Sequence, residues 1–231
     1  MKRIVLLVIL LVSLLETRSQ VVTPEDFANY NGEELVVEGN EIDYVESALH
    51  IKDLYGLDKN NAITRTTIVE APEKMKNQIY IDVNTWFIHT FNSGKSVIQL
   101  NEKEAGVIIG KGYIENVAQH VSFASSADIH AWVIIRVDIK DNKFRVMTTV
   151  QEYDMDMGAG VLGAMSAGMS GTPDQTTHVT WAPKDCFPFS GKKYKKTTSK
   201  AFVNCHIWSQ IVINKLAEAV LNGITGTEED W

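Results

Sequence analysis

Cysteine is scarce in this 231-residue chain, with Cys186 and Cys205 the two it has. Two thiols cannot lace a disulfide-built mini-domain, and with no His at ligand spacing beside them they do not outline a zinc site. They leave two readings open: one disulfide between Cys186 and Cys205, or two unpaired thiols of which one is buried in a helix. Basic charge is also short, 22 Lys and Arg against 29 Asp and Glu, for a net −7. That balance argues against non-specific binding to nucleic acid or an anionic membrane, since both reward a basic face. Hydrolase signatures are missing as well. The chain contains no H-E-x-x-H, no G-x-S-x-G and no Cys–His pair at a known family spacing. Its one strongly apolar N-terminal run, Ile4 to Leu15, falls short of the roughly 20 residues of a membrane span.

What is there begins with that run. Met1-Lys2-Arg3 precedes it and Glu16-Thr17-Arg18-Ser19-Gln20 follows, the order of a secretory signal peptide over residues 1–19. Thr17 and Ser19 sit three and one residues before a cut ahead of Gln20, which predicts a periplasmic or secreted protein. The cut removes Lys2, Arg3, Arg18 and Glu16, three cations and one anion, and takes the charge from −7 to −9. Residues 20–61 are acidic and turn-rich, with Asn31-Gly32, Gly39-Asn40 and Gly56. They read as an arm lying on the domain, with one short helix through Tyr44–Leu49.

From residue 62 the patterning sharpens. Ala62–Ala71 is a strand by its Thr, Ile and Val content, and Pro72 ends it. A helix from Glu73 to Phe91 places Met75, Ile79, Val83, Trp86, Phe87 and Phe91 on one face, and Asn92-Ser93-Gly94 stops it. Val97–Leu100 and Val107–Ile109, joined by an acidic link closing on Gly106, predict an antiparallel hairpin. Residues 114–126 are a polar link that continues the second hairpin strand. Ile129, Ala131, Val133, Ile135, Val137 and Ile139 then alternate with His130, Trp132, Ile134, Arg136, Asp138 and Lys140, a strand with one buried face. Asp141-Asn142 turns it, and Lys143–Tyr153 returns with Phe144, Val146, Thr148 and Val150 inward. Residues 154–198 break the alternation and read as a flexible Met- and Gly-rich insertion, with a short edge strand at His178–Trp181. Ser199 caps a final helix whose stripe is Ala201, Cys205, Trp208, Val212, Leu216 and Ala219, and Gly223 ends it before an acidic tail over 224–231. These parts assemble into an α+β domain over 62–223: a twisted antiparallel sheet of about five strands with two helices on one face.

The order of these parts resembles one family. The carriers are Trp86, Phe87 and Phe91, then Val97–Leu100, Lys103, Glu104, Gly106, Ile108 and Gly110–Gly112. Lys140, Asp141, Lys143, Phe144 and Arg145 continue the pattern, and Asp230-Trp231 closes it. Together they are similar to domain-of-unknown-function family 4468, exported proteins of Bacteroides-type bacteria, over roughly residues 62–231. The resemblance implies a TATA-binding-protein-like, helix-grip-like curved antiparallel sheet and an envelope location. It brings no activity, cofactor or catalytic residue, and a shared shape does not carry DNA binding.

Three motifs invite chemistry. Gly158-Ala159-Gly160-Val161-Leu162-Gly163 matches G-x-G-x-x-G, but Asp154 and Asp156 precede it and no β-α-β unit delivers it to a helix, so a small-residue loop is the better account. Gly106–Gly112 lacks the spacing of a phosphate loop, and its glycines suit a bulge or a close backbone approach. Met155, Met157, Met165 and Met169 are the ligand type of a soft metal such as Cu(I), yet Met in such a loop more often covers an apolar groove or a partner. The candidate binding face is the outer side of the sheet: His130, Trp132 and Arg136 with Arg145, Met147 and Tyr153. Aromatic and Arg side chains grouped on a sheet anchor protein, peptide or glycan partners. Against this stands cover by the arm or by the 154–198 loop. The expectation is a non-enzymatic, cofactor-free binding domain. A carrier of a small apolar ligand held between sheet and helices is the alternative, and a hydrolase with an unfamiliar site comes last.

Overall fold

A computed structural model of the chain describes residues 21–91, 97–160, 165, 169, 176–191 and 194–223. The expected signal peptide, the Asn92-Ser93-Gly94 stop and the acidic tail lie outside the described residues. The arm carries α1 (Pro24–Ala28), the short pair β1 (Val37–Glu38) and β2 (Glu41–Ile42), and α2 (Tyr44–Ile51). Thr23 and Asp26 close a reciprocal capping box on α1, and the Asp43 carboxylate caps α2 through the Val45 and Glu46 N–H groups. Then follow β3 (Gly56–Leu57), β4 (Ile63–Glu70), α3 (Lys76–Thr90), β5 (Val97–Glu102), β6 (Val107–Val121), β7 (Ser125–Lys140), β8 (Lys143–Ala159), β9 (Thr177–Trp181) and α4 (Lys195–Asn222).

The main sheet is antiparallel in the order β3-β4-β8-β7-β6-β5, with β9 also on β8. Among the described residues it has seven strands where the alternation predicts about five. The two beyond five are the two-residue β3 and β9, the short edge strand expected at His178–Trp181, and β8 runs six residues beyond Tyr153, where an irregular insertion was expected. β4 pairs with the first half of β8 and β9 with the second, so the two lie end to end along one edge. The hairpin turn closes on Gly106 at φ 69°, and Asn142 takes φ 64° in the β7–β8 turn. That turn has a second task. Asp141 accepts the Lys76 N–H at 2.7 Å and so caps α3, whose own N-cap residue, Met75, is 72% exposed rather than part of the buried stripe.

Both helices cover the same face. Ile129, Ala131, Val133, Ile135, Val137 and Ile139 of β7 and Phe144, Val146 and Val150 of β8 are buried beneath Ile79, Val83, Phe87, Phe202, Val212 and Leu216. α4 starts at Lys195, one turn before the expected cap, because Tyr194 turns the chain in a left-handed conformation and leaves Ser199 inside the helix. Sixteen of its twenty-eight residues are buried, more than a single sheet-facing stripe can account for. The arm supplies the rest of the cover, with α1 and α2 both packed on α4. The thiols of Cys186 and Cys205 are buried and free; no disulfide joins them. Burial pushes the Cys186 thiol up to about 11, with Asp185 adding to the shift, so both sulfurs behave as apolar side chains.

Gly106 and Gly110 are close approaches. A Cβ at Gly110 would lie 2.6 Å from Cε1 of the buried Phe87 ring, whereas one at Gly56 would meet nothing within 4 Å. Gly110→Ala should therefore lower unfolding stability by about 1–3 kcal/mol through overpacking, with Gly56→Ala as a near-neutral control, both read from urea titrations.

Candidate binding face

Alternation puts every second residue of β6, β7 and β8 on the face away from the helices, and two bulges decide which. In β8 the partners are Val133 with Val150 and Trp132 with Glu152, so Gln151 is an extra residue. The bulge flips everything after it. Tyr153, expected outside with Arg145 and Met147, is 1% exposed and belongs to the core, as does Met155. Asp154 and Asp156 turn outward instead. In β6, Glu115, Asn116 and Val117 all lie opposite the single residue His130, and Asn116 sits at φ 53°. The Asn116 N–H donates to His130 Nδ1 at 3.1 Å, and Asn204 of α4 donates to the Val117 carbonyl at 2.6 Å.

The other expected residues do share this face, each half-buried or exposed: His130, Trp132, Arg136, Arg145 and Met147. Sequence reasoning missed several neighbours. Tyr113 stacks on His130 with ring centroids 5.6 Å apart and lies 4.6 Å from Trp132. The Lys111 ammonium sits 4.5 Å above the Trp132 ring, and the Trp132 indole N–H donates to Asp154 at 3.0 Å. His178 of β9 reaches Asp156 at 2.9 Å, and that hydrogen bond raises its pKa above the ordinary value. Burial, with Asp154, Asp156 and Glu115 nearby, pushes the Tyr113 phenol up to about 12. The useful sequence signal was Gln151-Glu152, two polar residues in succession where the alternation allows one.

Farther along, Asp138 lies between two guanidiniums. Its Oδ1 accepts the Arg136 Nε–H at 2.8 Å and its Oδ2 accepts the Arg145 Nε–H at 3.0 Å. Burial favours the neutral acid there, but the hydrogen bonds from Arg145 and Arg136 outweigh it and hold the carboxyl below its usual range. Between this trio and the aromatic end lies a cavity of about 430 Å³ floored by Ile109, Ile134 and Met147 and rimmed by Asp58, Arg136 and Gln151.

The remaining candidates resolve into structure. Met155 is in the core and Met157 packs beside it, while Met165 and Met169 are exposed, so the four sulfurs do not converge. Gly160 presses on the β6–β7 turn, where a Cβ would meet the Ser122 carbonyl oxygen at 2.2 Å, and Gly163 lies outside the described residues. Among the described residues no group of three His, Cys, Asp or Glu could hold a metal ion.

One polar cluster escaped sequence analysis. His206, fully buried in α4, points Nε2 at Glu34 Oε1, 2.8 Å away, while Tyr55 and Arg65 approach Nδ1 at 3.0 and 3.2 Å. Arginine can only donate, so Nδ1 accepts and the ring proton sits on Nε2, donating to Glu34. Tyr30 donates a second hydrogen bond to the same carboxylate oxygen at 2.5 Å. The geometry is that of a relay, but its imidazole has no exposure to a substrate; it fastens the arm to the helix.

With this geometry in place, known proteins can be compared. The family model for a domain of unknown function (DUF4468) with TBP-like fold matches residues 66–153. Over those residues, less than half of the chain, the protein is similar to this family. The match runs from β4 to Tyr153, shorter than the span over which the sequence showed its likeness, and it makes the fold TBP-like. Two solved structures are similar. A TBP-like protein from Parabacteroides distasonis ATCC 8503 is 14% identical with a TM-score of 0.49, covering 72% of this chain and 97% of that one. A DUF4468 family protein from Bacteroides ovatus ATCC 8483 is 13% identical with a TM-score of 0.43, covering 76% and 94%. No curated protein matches.

The buried cluster sets an acid response. Burial works to raise the Glu34 carboxyl, but the Tyr30 and His206 hydrogen bonds bring it from 4.5 to about 2. Burial lowers His206 below its ordinary 6.5, only partly offset by Glu34. Both groups bind more protons unfolded than folded, so stability present at neutral pH is lost as pH falls from 6.5 towards 2. Glu34→Gln should flatten the part of that loss below 4.5, measured as urea midpoints across the range.

Proposed function

We propose that this protein, similar to DUF4468 over residues 66–153, is an exported, non-catalytic binding module that meets a protein or peptide partner across the open face of its sheet. The observation that carries this reading is the placement of cover. Among the described residues, α3, α4 and the helices of the arm lie on one side, and the arm reaches the other only at Asp58 and Asn60, on the cavity rim, rather than over His130, Trp132 and Arg145. The uncovered side gathers Trp, Tyr, Arg, Met and Ile, residue types that dominate the energetic centres of interfaces.

Two competing readings draw less support. A carrier needs space between sheet and helices, but Phe87, Phe144, Phe202 and Leu216 fill that layer and are almost wholly buried. A glycan partner would stack on a free indole, whereas Trp132 already has Lys111 over its ring and Tyr113 against it. Export is supported by the composition of residues 1–19, a basic start, an apolar stretch and small residues before Gln20.

A photo-crosslinking amino acid at exposed Thr66 on the open face, compared with one at exposed Ile88 on α3, tests the proposal in the producing cell. The expected result is a discrete adduct from position 66 that Arg145→Ala abolishes, with none from position 88. Equal labelling from both positions, or an adduct from position 88 alone, would overturn it.

A further inference from the structure

Resting on the open face as the partner surface, we propose that its Arg136–Arg145 end recognises an extended peptide bearing an aliphatic side chain and, two residues away, a carboxylate. The first support is charge. Asp138 holds Arg136 through its Nε–H and Arg145 through its Nε–H and one Nη2–H, which fixes the two guanidiniums side by side with their remaining N–H groups facing outward and leaves one net positive charge on a chain of net −7. Arg136 and Arg145 keep 41% and 48% of their side chains exposed. Among the described residues, no carboxylate other than Asp138 hydrogen-bonds either of them.

The second support is the adjoining cavity, whose floor of Ile109, Ile134 and Met147 is aliphatic and whose wall is Arg136 itself. Asp58 stands on the opposite rim with its Oδ1 taken by the Asn60 and Ala62 N–H groups at 2.8 and 2.9 Å. Its charge turns an acidic ligand group towards the arginines, which gives the bound segment a direction.

The third support is spacing. Arg145 precedes Met147 by two residues on β8, and Asp138 follows Arg136 by two on β7. Same-face residues of a strand repeat about every 6.8 Å, so Arg145 lies one such step from Met147, while Arg136 stands directly across from Met147 and Ile109 at the cavity's wall. An extended peptide places its own side chains i and i+2 at that interval. One side chain fills the cavity while the other reaches the two forks.

The test pans a phage-displayed library of random peptides on the full chain and measures each hit, as a labelled synthetic peptide, by fluorescence anisotropy. Hits are expected to share an aliphatic residue two positions from Asp or Glu. Replacing that acid by its amide should weaken binding about tenfold, the scale of one charge-assisted hydrogen-bonded pair. The double variant Arg136→Gln/Arg145→Gln should lose the same factor, with no further loss when peptide and protein changes are combined. Arg145→Lys, which keeps the charge and gives up the fork, should fall between them and guards against a folding defect. Hits that Met147→Lys abolishes but that carry no shared acid overturn the ligand class and leave the open-face reading standing. Hits indifferent to Met147→Lys and to the arginine variants, or no hits at all, overturn both.

Discussion

A helix buried on two sides is the constraint from which the rest follows. α4 lies between the sheet and the N-terminal arm, and its burial is too extensive for one amphipathic stripe. A polar group in such a place must be satisfied or the helix is destabilised. His206 meets that demand through Glu34, Tyr55 and Arg65, which come from the arm, the segment after α2, and β4. The network thus joins three separate segments around an imidazole that solvent does not reach. Lys215 adds a partly exposed tie to Asp26 at 2.6 Å, and Lys74 links the approach to α3 to Asp82 and to the Val220 carbonyl.

Among the described residues the helices all lie on one side, and the opposite side of the sheet is covered only where Asp58 and Asn60 meet the cavity. An antiparallel sheet tolerates that when its outward residues are amphipathic, and here they are. The face is also graded. Asp128, Asp154 and Asp156 gather near His130 and His178 at one end, Arg136 and Arg145 flank Asp138 at the other, and aliphatic residues lie between. Such grading favours one orientation of a bound partner more than it raises affinity.

Much of this was legible in the residues. Strict alternation from Ile129 to Ile139 gave β7 its buried side, and the step pattern of α3 gave Ile79, Val83, Trp86 and Phe87. Gly106 and Asn142 marked the turns through the positive φ they adopt. What was not legible arose from register. A single extra residue at Gln151 reverses every side chain after it, so Tyr153 moved to the core and Asp154 and Asp156 to the surface. Alternation read from one end of a strand cannot anticipate that reversal. The His206 network was hidden for another reason: its members lie up to 172 positions apart in sequence, and no local pattern connects Glu34 with α4. Met75 failed as a core residue because a helix stripe was extended past the first turn, where Asp141 takes over the capping.

The bulge in β6 has a consequence for communication across the sheet. On its outer side the Asn116 N–H holds the His130 ring; on its inner side the Val117 carbonyl is held by Asn204 of α4. Two adjacent residues thereby hang between the half-buried imidazole and the buried rod. Whatever displaces that ring must work against the rod's grip.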